Sequence, residues 1–135
     1  MSIDYAWRGE FTNAEVNALH AEGFGHEVVD NAGSDVRGQV EAHSLGWVCA
    51  RTAAGTLVGW VNVIWDGAAH AFVLDTVTSP AHQRQGIGTA LVALVVQQAR
   101  AAGCQWLHVD FEPHLMAFYL DSCGFRPTNA VLIRL

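Results

Sequence analysis

The chain has 135 residues, about half of them apolar, enough for one core and a single domain over residues 1–135. Thirteen acids face seven arginines and no lysine, for a formal charge of −6. That excludes a catalytic lysine and argues against nucleic acid or an anionic membrane as a partner, since both need a basic face.

In chain order, a first strand is expected over Asp4–Arg8. Thr12, followed three residues later by Glu15, is a capping box that opens a short helix ending near Gly23. A second helix is expected over Ser34–His43, with Val36, Val40 and His43 on its buried side. Three strand-like runs follow, GWVCART, TLVGWVNVIW and AFVLDTVT, separated by AAG and DGAAH. Connections this short permit only antiparallel pairs, and Asp66-Gly67 is a hairpin signal. Trp47, Trp60 and Trp65 read as core or interface, although Trp65 and Asp66 could instead receive an ammonium group.

From Gly86 the pattern becomes helical. Ile87, Leu91, Leu94, Val95 and Ala102 share a face, and Gly103 stands where a C-cap glycine belongs. CQWLHVDF is a strand, and a strand–helix–strand crossover of this length implies a parallel pair. HLMAFYLDSCGF reads as an amphipathic helix stopped by Gly124. AVLIRL reads as a last strand, one that could pair across a homodimer. The fold class is therefore α/β of the α+β type: a mixed sheet, antiparallel meander then parallel pair, with helices on both faces.

No run approaches the ~18 apolar residues of a membrane span. The opening MSIDYAWRGEF has no basic stretch ahead of an apolar block. Three cysteines without metal-like spacing, Cys49, Cys104 and Cys123, read as reduced thiols of a cytoplasmic protein. Seven histidines without paired spacing do not suggest a metal.

The loop SPAHQRQGIG, ahead of the long helix, carries the chemistry. Free backbone N–H groups and the helix dipole make an anion site there. Gly86 and Gly88 remove side chains that would hold a diphosphate away, Arg84 adds a positive charge and Thr89 a hydroxyl. A plain polar turn is the ordinary reading of a lone Gly-x-Gly. A dinucleotide fingerprint would need glycine where Leu91 stands, and a Walker loop would need a lysine.

TVTSPAHQRQGIGTAL resembles the acyl-coenzyme A signature of the GNAT acyltransferase superfamily, Gln/Arg-x-x-Gly-x-Gly/Ala, which Gln83, Gly86 and Gly88 match. FYLDSCGF resembles the second motif of that superfamily through Tyr119, Gly124 and Phe125. The resemblance covers the chain from about Asp4 onward. It implies acetyl-coenzyme A as co-substrate and no metal. The pyrophosphate would rest on the backbone of Arg84, Gln85, Gly86, Ile87, Gly88 and Thr89. The pantetheine arm would lie along Thr76, Val77 and Thr78, in a gap where the fourth and fifth strands splay. Glu112 stands where many relatives carry an asparagine.

Acyl transfer from a thioester to an amine needs a neutral amine, a stabilised oxyanion and a proton for the thiolate. Tyr119 suits the last task, with a phenol pKa of ~10 near that of an alkyl thiol; otherwise it is a core tyrosine. A backbone N–H near Val77 or Thr78 is the natural oxyanion donor. For the base, His108 ranks first, since alternation puts Trp106, His108 and Asp110 on one strand face. Asp75 ranks second, as a carboxylate inside an apolar strand that needs a partner or a raised pKa. Asp110, Glu112 and His70 follow. Cys123, one helical turn past Tyr119, would permit a covalent route, but a buried thiol is the simpler reading. The expected activity is N-acetylation of a small-molecule, peptide or protein amine by direct attack in a ternary complex. A non-catalytic acyl-coenzyme A sensor is the rival reading.

Overall fold

The computed structural model describes residues 2–25 and 35–135. Five strands form one sheet in chain order: β1 (Ile3–Trp7), β2 (Ser44–Thr52), β3 (Leu57–Trp65), β4 (His70–Thr78) and β5 (Trp106–Val109). The first four are antiparallel neighbours, and β4 pairs with β5 in parallel. Turn chemistry dictates the meander. Gly55 N–H donates to Thr52 O at 2.9 Å between β2 and β3. Between β3 and β4, Asp66 Oδ1 accepts from the N–H groups of Ala68 and His70 at 2.8 and 3.1 Å. Asp66 therefore braces the hairpin, and Trp65 packs partly against the core.

Helices cover both faces. α1 (Asn13–Phe24) and α2 (Val36–His43) lie on one side, and α3 (Ile87–Ala101) on the other. The two faces of β2 and β3 bury different side chains: Val48, Ala50, Val58 and Val61 meet Ile87, Leu91 and Val95 of α3, Val58 reaching that face through a register shift opposite Ala50 and Arg51. Trp47, Cys49 and Trp60 meet Phe11, Val16, Leu19 and Val40. Each fully buried residue of this size contributes about 1.5–3 kcal/mol through water exclusion. Phe11 sets its ring edge-on to Trp47 and Trp60, with centroids 5.9 and 5.7 Å away.

The capping box forms as expected: Glu15 N–H donates to Thr12 Oγ1, and Thr12 N–H donates back to Glu15 Oε1. α1 runs through Gly23, however, and stops at Gly25, whose φ of +71° suits only glycine well. α2 begins at Val36, with Asp35 as cap accepting from Gly38 N–H; Ser34 lies outside the described residues. Its His43 is exposed, leaving Val40 as the buried anchor. On α3 the last buried residue is Ala99, whereas Ala102 is an exposed C-cap ahead of left-handed Gly103.

Two expectations fail in the last third. HLMAFYLDSCGF does not form a regular α-helix; it is a 3₁₀ turn over Pro113–Leu115 leading into a π-helical turn over Phe118–Ser122. AVLIRL is no strand: Val131, Leu132 and Ile133 are 98%, 87% and 81% exposed. The alternation is real, but a strand is a pairing, and the chain leaves Phe125 without meeting a free edge of its own sheet.

Candidate functional site

The site is built on an irregularity in β4. Opposite β3, Trp60 pairs with Val77 but Asn62 pairs with Leu74, so Asp75 and Thr76 together face one residue of β3. This is a β-bulge, and Asp75 sits in it at φ +58°, a conformation that Asp tolerates better than most residues. The extra residue inverts the strand's alternation. Before it, Ala71 and Val73 point to the α3 core; after it, Val77 points to the α1/α2 core. Thr76 and Thr78 are thereby turned to the α3 side, where Thr78 Oγ1 approaches Gly88 and Thr76 meets Tyr119.

The pairing of β4 with β5 ends at Val73 opposite Val109. From Leu74 to Thr78 the β5-facing edge of β4 has no strand beside it among the described residues, so the sheet opens there. Directly after β4, Ser79 N–H donates to Val58 O at 2.8 Å, and Gln83 Nε2 donates to Thr78 O at 3.3 Å. These bonds hold the loop against the sheet and aim it at α3.

α3 starts without a side-chain cap. Gly86 is its N-cap at φ +82°, Arg84 ahead of it is also left-handed at +63°, and the first helical bond runs from Ala90 N–H to Gly86 O. The N–H groups of Ile87, Gly88 and Thr89 therefore have no intrahelical acceptor. Gly88 lies close under Phe118: a Cβ there would crowd the ring at 3.1 Å. Gln83, Arg84, Gln85 and Gly86 are exposed around this helix start.

Tyr119, 5% exposed, lies in a cage of Phe111, Phe118 and Phe125 with ring centroids 4.8–5.8 Å apart. Burial raises its phenol pKa, partly opposed by the adjoining Thr76 hydroxyl. That contact falls short of hydrogen-bond geometry, leaving Thr76 Oγ1 buried and unsatisfied. The π-turn and Gly124 at φ +80° return the chain so that Phe125 N–H donates to Tyr119 O. Cys123 is half-buried with its thiol pKa raised by desolvation, unfavourable for a nucleophilic thiolate.

Residues 11–125 match the model of the acetyltransferase (GNAT) family. This chain belongs to that family. It is 35% identical over 83 residues to a mycothiol acetyltransferase of Stackebrandtia nassauensis, covering 58% of this chain and 27% of that protein. It is 29% identical over 86 residues to the chloroplastic serotonin N-acetyltransferase 2 of Oryza sativa subsp. japonica, covering 62% of this chain and 43% of that protein. The chain thus spans less than half the length of the curated relatives it matches. A probable acetyltransferase from meticillin-resistant Staphylococcus aureus superposes with a TM-score of 0.79 at 16% identity, over 99% of this chain and all of that one. The aminoglycoside N-acetyltransferase AAC(6')-Iy, solved with CoA, superposes with a TM-score of 0.78 at 17% identity, over 99% and 94% of the two chains. These likenesses show the GNAT fold.

In this acetyltransferase-family chain the two candidate bases occupy different settings. His108 is half-buried on β5, stacked 4.6 Å from the Phe72 ring, with Nε2 2.8 Å from His70 Nδ1. Asp75 is not buried among apolar groups, as its neighbours in sequence suggested. The bulge turns it outward, 46% exposed, with Oδ1 3.3 Å from His20 Nε2 of α1. Asp110 and Glu112 are exposed beyond the end of β5. The bulge and the His70–His108 contact are what sequence reasoning missed. A lone Asp in an apolar strand could have signalled the first; no local signal marks the second. Among the described residues no group of three metal-ligating side chains occurs, and no helix is long and apolar enough to cross a membrane.

Proposed function

We propose that this chain transfers an acetyl group from acetyl-coenzyme A to a primary amine, within a ternary complex. The observation that carries the reading is the meeting of the uncapped start of α3 with the unpaired edge of β4 at one opening in the sheet. A diphosphate fits the first feature and an amide-bearing arm fits the second. The buried, unsatisfied Thr76 hydroxyl at that opening is a further polar group awaiting a partner.

When bound, acetyl-coenzyme A supplies an activated thioester. The first-turn amides of Ile87, Gly88 and Thr89, with Arg84, bind and orient the pyrophosphate. The free backbone edge of Thr76–Thr78 aligns the pantetheine arm, and an N–H of Val77 or Thr78 stabilises negative charge on the acyl oxygen. Tyr119 Oη holds the proton that the departing thiol requires, and burial keeps it there. His108 relieves the amine of its proton, with Asp75 as the second candidate. A formal charge of −6 favours a cationic acceptor over an anionic one.

Calorimetric titration with acetyl-coenzyme A, using NAD as control, tests the site, and a primary-amine panel tests turnover. Binding of acetyl-coenzyme A alone, followed by acetylation of a panel amine, is the expected result. Equal or preferential binding of NAD, or no binding of either, overturns it. Binding without turnover of any amine would favour the acyl-coenzyme A sensor, for which Glu112 in place of the relatives' asparagine is the supporting feature.

A further inference from the structure

Ahead of the bulge, β4 turns Ala71 and Val73 to the α3 core, so Phe72 and Leu74 point to the α1/α2 side. Val77 is buried beneath α1 there, whereas Phe72 and Leu74 are 39% and 37% exposed. Phe24, the last residue of α1, is 49% exposed. On β5, His108 stands opposite Phe72 and stacks on its ring at 4.6 Å. Large apolar side chains gathered in water on one face mark a binding surface.

A carboxylate stands at the inner end of this face. Asp75 follows Leu74 in the bulge, its side chain 46% exposed and its Oδ1 3.3 Å from His20 Nε2 of α1. The His20 ring lies against Phe24, with centroids 4.4 Å apart. The next residue, Thr76, turns through the sheet to Tyr119, so Asp75 borders the opening assigned to the acetyl group. We propose that the acceptor is a primary amine with an apolar body, an alkylamine or arylalkylamine. Its ammonium pairs with Asp75, which His20 positions, and its body lies on Leu74, Phe72 and Phe24. This inference rests on the acetyl-transfer reading above and names the substrate class of that site.

Charge and chemistry agree on this occupant. Asp110 and Glu112 are exposed past the end of β5 nearer the opening, while Arg126 lies over the Trp106 ring at the start of that strand. A cation is therefore drawn to the bulge end of the face and away from the other. From Asp75 back to Phe72 the strand covers about 10 Å, the reach of a phenyl ring on a short alkyl tether. Phe24, Phe72 and Leu74 offer no hydrogen bond to a hydroxyl, so a polyhydroxylated amine loses water there without replacement. An amino acid would set its own carboxylate beside Asp75.

Steady-state kinetics of the full chain at saturating acetyl-coenzyme A, over the linear amines from propylamine to hexylamine, tests this. kcat/KM should rise about 2- to 4-fold per methylene. Phenethylamine should exceed both phenylalanine and glucosamine by about 10-fold or more. Leu74→Ser should raise KM for phenethylamine several-fold more than KM for propylamine, a difference that a general loss of structure would not produce. His20→Ala should raise KM for every amine of the series, with partial rescue by His20→Gln, which retains a donor for Asp75. A flat alkylamine series, or a preference for glucosamine or phenylalanine, overturns this inference and leaves acetyl transfer standing. Failure to bind acetyl-coenzyme A, or to acetylate any amine, overturns both. A wild-type dimer that Leu74→Ser converts to a monomer in light scattering would give the face to a second copy and overturn the inference as well. The alkylamine series on the wild-type chain decides the matter even where a variant fails to fold.

Discussion

His70 Nδ1 and His108 Nε2 stand 2.8 Å apart across the β4–β5 pair, with the two rings stacked at 5.1 Å. One nitrogen must donate and the other accept, so the contact fixes how His108 presents its remaining nitrogen, Nδ1.

If His108 moves the amine proton, His108→Ala lowers kcat by roughly 100-fold or more, the usual contribution of general-base assistance. His70→Ala, which only loosens the orientation of His108, lowers kcat by a smaller factor. Steady-state kinetics at saturating acetyl-coenzyme A separates the two. Wild-type kcat in His108→Ala would transfer the role to Asp75, to be tested by Asp75→Asn.

Tyr119→Phe removes one oxygen from a cage of three phenylalanines and leaves the packing in place. We expect turnover to fall about 100-fold while acetyl-coenzyme A affinity changes little. Burial raises the phenol pKa, so the acid form persists to higher pH than in a free tyrosine. The rate should therefore show no alkaline limb from Tyr119 below about pH 10. A falling limb near neutrality that vanishes in Tyr119→Phe would refute the raised pKa, and unchanged turnover in Tyr119→Phe would remove Tyr119 from the mechanism.

At the start of α3, Arg84→Ala should weaken acetyl-coenzyme A binding about 5- to 10-fold, the loss of one charge-assisted contact, and should flatten the salt dependence of Kd. Gly86→Ala tests the backbone. No atom lies within 4 Å of the added Cβ, so the strain arises from the φ of +82°, about 1–2 kcal/mol. Thermal unfolding should detect it without any ligand present. Calorimetry with Arg84→Ala should show no change in Tm, only in Kd.

Arg51 ties α1 to the sheet: its guanidinium donates to both Glu15 carboxylate oxygens at 2.6 and 3.0 Å and to the carbonyls of Glu10 and Gly55. The Arg51 hydrogen bond, chiefly, lowers the Glu15 pKa to about 2. A depressed carboxylate pKa contributes stability above its unfolded value of ~4.3, and that contribution is lost as pH falls toward 2. Glu15 is 34% exposed on its side chain, so solvent screening reduces the effect to about 1–2 kcal/mol. Glu15→Gln keeps an acceptor for the capping box but loses the ion pair. Its Tm should fall by a few degrees at pH 7, and the gap from wild type should narrow steadily as pH drops from about 5 toward 2. A gap independent of pH would assign the loss to the cap instead.

Much of this molecule follows from local rules in the chain. Thr12 and Glu15 satisfy the first amides of α1, Asp66 and Gly67 force a hairpin, and Ile87, Leu91 and Val95 recur at the helical period; each acts over a few residues. The glycines and Arg84 ahead of α3, and Tyr119 five residues before Gly124, are likewise adjacent in sequence to the features they create. What only the tertiary structure decided involves partners far apart or absent. The bulge at Asp75 exists because β3 and β4 settle into a register with one residue too many, and it alone turns Thr76 toward Tyr119. His70 and His108, 38 residues apart, meet because β4 and β5 pair in parallel. The same dependence on pairing explains AVLIRL: its sequence has the alternation of a strand, but alternation supplies a face, and only a neighbouring edge supplies the hydrogen bonds.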